Sequence, residues 1–206
     1  MTIQANTTHS PATGRTKVSY EEFLRDRRDE HAEWVDGEVI AMAPVSSQHQ
    51  FVSLFLVRLL SEFVEHHQLG SVFFEDFNMK TSARPSGRNP DVMFVSNVNH
   101  NRIKSNHLDG PADLAIEIIS PDDPDRDRLD KFIEYERGGV NEYWLIDPAQ
   151  QRAEFFQLGS SGKYEKIAIT GEGTIRSEVV AGFWMKVQWL WDRPPLHALR
   201  RELGLP

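Results

Sequence analysis

The chain contains no cysteine. That excludes a disulfide framework, a thiolate zinc site and a cysteine nucleophile, and it fits a reduced, cytoplasmic setting. Long hydrophobic runs are also missing. The longest apolar stretch, Phe51 to Leu60, is broken by Ser53 and Arg58 and is too short to span a bilayer. Met1 to Lys17 is rich in Thr, Ser and Ala without an apolar core, so it reads as a disordered leader and not as a secretory signal. Positive charge is in deficit: Lys and Arg total 23 against 31 Asp and Glu, a formal net charge of −8. A polycation that coats nucleic acid by bulk charge is therefore excluded, and any nucleic-acid surface has to be built locally. Internal repeats and dividing linkers are absent as well.

What is present suits one soluble domain. The chain has 206 residues, of which 39% are hydrophobic and 26% charged, enough for a sizeable core. Residues 18–206 are expected to form it. Ser19 followed three residues later by Glu22 is a capping box, which predicts a short helix to about Arg28. Asp36-Gly37 is a hairpin dipeptide between two strands, about Ala32–Val35 and Glu38–Met42. Ser47 with Gln50 reads as a second capping box, opening a long helix from Ser47 to Leu69 whose apolar residues recur near a 3.6 period.

Strands follow. Ser71–Glu75 and Phe77–Thr81 come first, then a loop over Ser82 to Asn89 holding Arg84 and Arg88. Pro90–Val95 is a strand opened by proline, and Asn97 to Gly110 reads as a polar loop. Ala112 to Ile119 is apolar enough to be buried on both faces. A turn over Ser120 to Arg126 leads to a helix over Arg128 to Arg137, stopped at Gly138-Gly139. Glu142–Ile146 is another buried strand, and Arg152–Leu158 with Tyr164–Ile169 forms a hairpin. The remainder reads as a strand over Val179–Trp191 and a closing helix over Pro194–Leu203. Trp184, Trp189 and Trp191 are core or interface aromatics.

Glu117 is the residue that asks for chemistry. It lies mid-strand in Leu114-Ala115-Ile116-Glu117-Ile118-Ile119, where a carboxylate is costly unless a cation, proton or metal compensates it. A buried ion pair is the structural alternative. Asp91, after Pro90, reads alone as a turn or capping residue. Paired with Glu117 at one edge of a sheet, it would suit Mg²⁺, which takes oxygen ligands and often one or two protein carboxylates. Asp127, Lys131 and Tyr135 share one helix face by their spacing. Lys131 then has two readings: a surface pair with Asp127, or an ammonium that stabilises charge growing on a phosphate. Glu33 divides evenly between an exposed strand residue and a site carboxylate. His49 at the start of the long helix reads as a capping or packing residue, outside the site.

The ordered set resembles a known family. Glu33 to Pro44, His49, Pro90-Asp91-Val92, Glu117-Ile118-Ile119-Ser120-Pro121, Asp127-x-x-x-Lys131 and Gly139 to Pro148 together resemble the Uma-type family of proposed bacterial endonucleases. These belong to the PD-(D/E)XK nuclease superfamily, and the likeness runs from about Ser19 to Leu158. It implies an α/β restriction-endonuclease-like fold, a mixed sheet flanked by helices. It also implies Asp91 and Glu117 as ligands of Mg²⁺ or Mn²⁺, with the Ile118 carbonyl as a further ligand. The superfamily's lysine stands two residues after the acid, where this chain has Ile119, and Lys131 matches the place to which the family's lysine has moved. Glu33 matches an early acidic residue that adds a ligand or a water contact.

The implied activity is metal-dependent hydrolysis of DNA, with catalytic residues Asp91, Glu117, Lys131 and Glu33, no membrane partner, and a homodimer compatible with cutting two strands. Two other functions share the same motifs. One is a nuclease-fold binding or regulatory module without catalysis, and the other a hydrolase of RNA or of a smaller phosphodiester. Between Glu117 and Arg137 there are 8 acidic residues against 4 basic, half of the net −8. Acid there suits a cation and repels phosphate, so DNA affinity should depend on metal and fall steeply with salt. Arg84, Arg88, Arg102 and Lys104 are the expected makings of a local basic groove.

Overall fold

The protein is described by a computed structural model over residues 17–26, 31–81, 85–120 and 127–206. The capping box at Ser19 forms as its sequence dictates. The Glu22 amide donates to the Ser19 hydroxyl at 3.2 Å and the Ser19 amide donates to the Glu22 carboxylate at 2.7 Å, opening α1 (Tyr20–Asp26). Its expected end near Arg28 lies outside the described residues. The Asp36-Gly37 hairpin joins β1 (Ala32–Val35) to β2 (Glu38–Ala41), with both turn residues at positive φ, 52° and 89°.

The long helix α2 (Ser47–His67) is capped one residue earlier than the sequence suggested. Ser46, in extended backbone, accepts the amide of His49 at 3.2 Å, so Ser47 is the first helical residue and not the cap. Either serine satisfies the local pattern. The register chosen buries His49 together with Val52, Phe55 and Leu56. Gln68 ends the helix in the left-handed region, so Gly70 already belongs to the next strand.

That strand is β3 (Gly70–Phe74), followed by β4 (Asn78–Thr81). The expected loop over 82–89 is corrected here: Ser86–Arg88 is a buried strand, β5, pairing with both β1 and β4. Small residues make this pairing close. A Cβ at Gly87 would stand 2.4 Å from the Asn78 side chain. β6 (Val92–Ser96) comes next. The polar loop after it contains a 3-10 helix (Asn97–Arg102) and the short strand β7 (His107–Leu108). The turn expected over Ser120 to Arg126 lies mostly outside the described residues.

β8 (Leu114–Ile118) is buried throughout, as its composition required. A π-helical turn (Asp127–Lys131) leads into α3 (Phe132–Gly138), closed by Gly139 at φ 84°. β9 (Glu142–Asp147), β10 (Arg152–Leu158) and β11 (Tyr164–Lys166) follow. The C-terminal expectation of one strand and one helix is also corrected. The chain forms a hairpin, β12 (Thr174–Arg176) with β13 (Trp184–Lys186), then two short helices, α4 (Trp189–Asp192) and α5 (Leu196–Arg200). Gly182, at φ 81°, breaks the expected strand near its start, and the chain turns helical at Trp189.

The strands sort into two main sheets among the described residues. One runs β11-β10-β9-β8-β6-β3 and is mixed, because β8 and β9 are parallel and the other pairs antiparallel. The other runs β2-β1-β5-β4-β7. Alternation along β8 divides the core. Leu114, Ile116 and Ile118 join the cluster under α2 and the C-terminal elements, with Trp189 buried in it and Trp184 and Trp191 packed against it. Ala115 and Ile119 join the opposite cluster, which contains Tyr135 of α3. Glu117 falls on the α3 side by the same alternation. On β9, Glu142 is buried, and among the described residues no cation pairs with it. Trp144 Nε1, the Ser177 hydroxyl and the Glu178 and Val179 amides donate to it, tying the C-terminal segment to the sheet.

Candidate functional site

Four residues expected from the sequence, Glu33, Asp91, Glu117 and Lys131, are all buried. Glu33 is 2% exposed, which removes the exposed-strand reading. Lys131 Nζ lies 2.6 Å from Glu117 Oε2 and 3.3 Å from Glu33 Oε1. Tyr135, one turn further along the helix, donates its hydroxyl to Glu117 Oε1 at 2.6 Å. The spacing of four that put Lys131 and Tyr135 on one face thus serves one carboxylate. Burial and the Glu117 charge together push the Tyr135 hydroxyl well above its usual pKa, so it stays a donor.

Arg88 is where the sequence misled most. It was expected in an exposed basic groove, yet it is 2% exposed. Its guanidinium forks onto Glu134 at 2.7 and 2.6 Å and reaches Glu33 at 2.6 Å. Arg88 and Lys131 therefore share Glu33 between them, and two cations and three carboxylates form one buried network. Of the other groove candidates, Arg102 donates to the Pro111 carbonyl and Lys104 to the Asn101 carbonyl, while Arg84 lies outside the described residues.

Glu33 shows what the network does to a carboxyl. Burial pushes its pKa up, but the Lys131 and Arg88 charges and the Arg88 hydrogen bond outweigh that and hold it at about 2, below the ordinary 4.5. A depressed folded pKa stabilises the protein above pH 4.5, and that stability is lost as pH falls towards 2. Urea melts between those limits are expected to lose on the order of 3 kcal/mol from this group. Glu33→Gln, less stable at neutral pH, should show a correspondingly flatter acid limb.

Asp91 sits at the edge of this network. Its Oδ2 accepts the Ile118 amide at 2.6 Å, one residue beyond Glu117. Asp91 and Glu117 are thus brought to neighbouring positions on adjacent strands. The other Asp91 oxygen faces elsewhere: Oδ1 lies 3.0 Å from His49 Nε2. His49 Nδ1 in turn faces Glu75 Oε1 at 3.9 Å, and both of these buried atoms lack a hydrogen-bond partner among the described residues. His49, Glu75 and Asp91 offer donor atoms all within 4.8 Å of one another. Glu117 is not in that group.

The electrostatics agree with a cation-seeking pocket. Burial, and after it the Asp91 charge, raises the Glu75 carboxyl. Burial pulls His49 down, but the Asp91 hydrogen bond and the charges of Asp91 and Glu75 outweigh it, and the net shift is upward. When protonated, His49 is the positive partner of two carboxylates. It must give up that proton to become a ligand.

Sequence reasoning set His49 aside and missed Glu75. His49 carried two signals, its place in the first turn after a serine pair and its membership of the motif set that resembles the Uma-type family. Glu75 lies in the turn just after β3 and carries none, because only the fold brings it to Asp91.

Comparison with known proteins gives the fold and the family. The crystal structure of an Anabaena variabilis protein, described as a "putative nuclease", matches with a TM-score of 0.69 at 18% identity, covering 85% of this chain and 98% of that chain. That likeness shows the fold, a mixed α/β arrangement as expected from the sequence. A Synechocystis sp. protein described as uncharacterized is 26% identical over 161 residues, covering 76% of this chain and 82% of its own length. The sequence pattern of Uma2, "Putative restriction endonuclease", matches residues 19–188, and the chain belongs to that family. Among the described residues, no helix is long and apolar enough to cross a membrane.

Proposed function

We propose that the protein is a divalent-metal-dependent endonuclease that hydrolyses phosphodiester bonds in DNA. One observation carries this function: His49, Glu75 and Asp91 converge with two buried polar atoms left unpartnered, beside a Glu117–Lys131 pair, in a chain of the Uma2 family.

The donor set fits a divalent cation. Two carboxylates suit Mg²⁺ or Mn²⁺, and the imidazole nitrogen tips the preference towards Mn²⁺ over Mg²⁺. His49, Glu75 and Asp91 would hold the ion. When bound, it supplies Lewis-acid polarisation of the scissile phosphate and acidifies the attacking water. Asp91 is fixed by the Ile118 amide, so its second oxygen stays directed at the pocket. Glu117 stands next to that amide and holds Lys131 towards the same strand edge. Glu33, with Arg88 behind it, steadies the ammonium from the other side. Lys131 is thereby kept charged where negative charge grows on the phosphate.

A second reading has its own support. Lys131 is 3% exposed and engaged by two carboxylates, as a purely structural lysine in a non-catalytic module would be. Nicking of supercoiled plasmid with Mn²⁺ or Mg²⁺ separates the two. Wild type should nick only with metal, and Asp91→Ala should lose at least about 100-fold, roughly 3 kcal/mol of transition-state stabilisation. Undiminished nicking by Asp91→Ala would sink the site. Absence of nicking with any divalent metal would favour the module, and cleavage of RNA in preference to DNA would redirect the substrate.

A further inference from the structure

The net charge of −8 left DNA without an evident landing place, and the burial of Arg88 removes one expected contact. We propose that the groove between the outer face of α2 and the C-terminal helices is a nucleic-acid docking surface, where a strand places a base on Phe51 and its phosphates on Arg58, Arg193 and Arg200. It deepens the nuclease reading and rests on that reading for the kind of polymer it carries.

The groove encloses about 530 Å³ and is lined by Phe51, Leu54 and Arg58 of α2 and by Arg193, His197 and Arg200 across from them. Phe51 and Leu54 are 56% and 55% exposed, large apolar side chains left facing water. The Arg193 guanidinium lies over the Phe51 ring, 5.7 Å from its centroid. Arg200 pairs with Glu62, the one acidic residue among those lining the groove. Three arginines against one glutamate leave the groove at +2 in an acidic chain.

Aromatic rings interleaved with arginine are the chemistry that takes single-stranded or splayed nucleic acid. Any base stacks on an aromatic face, and guanidinium groups neutralise the backbone. Phe51, Leu54 and Arg58 stand three and then four residues apart, so they form one stripe along the helix. The stripe lies on the outer side of α2, away from the buried His49 ring. From Phe51 to Arg58 the stripe runs seven residues, about 10 Å along the helix axis.

A second copy of the chain fits less well. The two exposed apolar side chains offer on the order of 200 Å², far below the ~800 Å² per partner of a stable dimer. The three arginines would also face their own copies across a two-fold axis.

The test is fluorescence anisotropy of a labelled single-stranded oligonucleotide and its duplex, in chelator-treated buffer so that neither is cut. The full chain is compared with Arg58→Glu/Arg193→Glu and with Phe51→Ala. The double variant should bind at least about tenfold more weakly, with the slope of log affinity against log salt reduced by about two. Phe51→Ala should weaken single-strand binding more than duplex binding. Mn²⁺ affinity of the His49–Glu75–Asp91 pocket should be unchanged in both variants, which confirms the fold.

Unchanged DNA affinity in both variants would overturn the proposal, whatever plasmid nicking shows. So would a wild type that binds neither DNA. So would a Phe51→Ala/Leu54→Ala variant that turns a dimer into a monomer in sedimentation while DNA binding persists, because the groove would then be a self-association face. Groove-dependent binding without metal-dependent nicking would uphold the groove and refute the nuclease.

Discussion

Arg88→Ala should cost about 3–5 kcal/mol of folding stability, read as a lowered urea midpoint. The guanidinium carries three hydrogen bonds of 2.6 to 2.7 Å to Glu33 and Glu134, and all three residues are under 5% exposed. Removing it leaves two buried carboxylates facing each other without their shared cation. Arg88→Lys should rescue little, because a point charge cannot fork onto Glu134 and still reach Glu33. Arg88→Met combined with Glu134→Gln and Glu33→Gln should recover part of the loss, since the harm lies in the unpaired charges more than in the missing contacts. An Arg88→Ala midpoint within experimental error of wild type would mean that the network does not hold the fold.

The second large effect falls on metal binding. His49→Ala and Asp91→Ala should each weaken Mn²⁺ binding by about 100-fold or more, exceeding the 10- to 100-fold that outer-shell partners cost. Calorimetric titration reads this directly. His49→Ala should penalise Mn²⁺ more than Mg²⁺, because the loss removes the nitrogen donor and leaves the carboxylates. Both variants should fold, since neither residue belongs to the Arg88 network. Mn²⁺ affinity unchanged by either substitution would move the ion elsewhere. Lys131→Ala is the poorer probe of chemistry: it strips the partner from Glu117 and Glu33, so lost activity would mix catalysis with lost stability.

Local signals carried much of the fold. The capping box at Ser19, the Asp36-Gly37 turn, the apolar run into Glu117 and the glycine after α3 each specify their element without help from distant residues. The second cap failed because Ser46 and Ser47 satisfy the same local rule, and only the burial of His49 against Asp91 decides between them. The strand Ser86–Arg88 was hidden for a different reason. Ser, Gly and Arg between prolines read as a loop, but β1 and β4 supply partners on both sides and Glu33 and Glu134 supply the charge.

The site divides along the same line. Glu117 and Lys131 were legible because a carboxylate in an apolar strand demands a cation, and a lysine on the following helix is the near source. Glu33 and Asp91 were marked by their motif neighbours. His49 belonged to the motif set but was read as packing, and Glu75 was unmarked, since their joint meaning exists only where the start of α2 and the turn after β3 meet Asp91. A donor group assembled from three distant segments leaves no spacing to read. Arg88 was read as a groove residue because nothing in its local sequence shows Glu33 and Glu134 converging on it.

The central claim is a divalent cation centre at His49, Glu75 and Asp91. Anomalous diffraction at the manganese edge from Mn²⁺-soaked crystals tests it most directly. The claim predicts a single strong peak about 2–2.3 Å from His49, Glu75 and Asp91 donor atoms. A peak held elsewhere, or no peak at these three residues at saturating Mn²⁺, would contradict it.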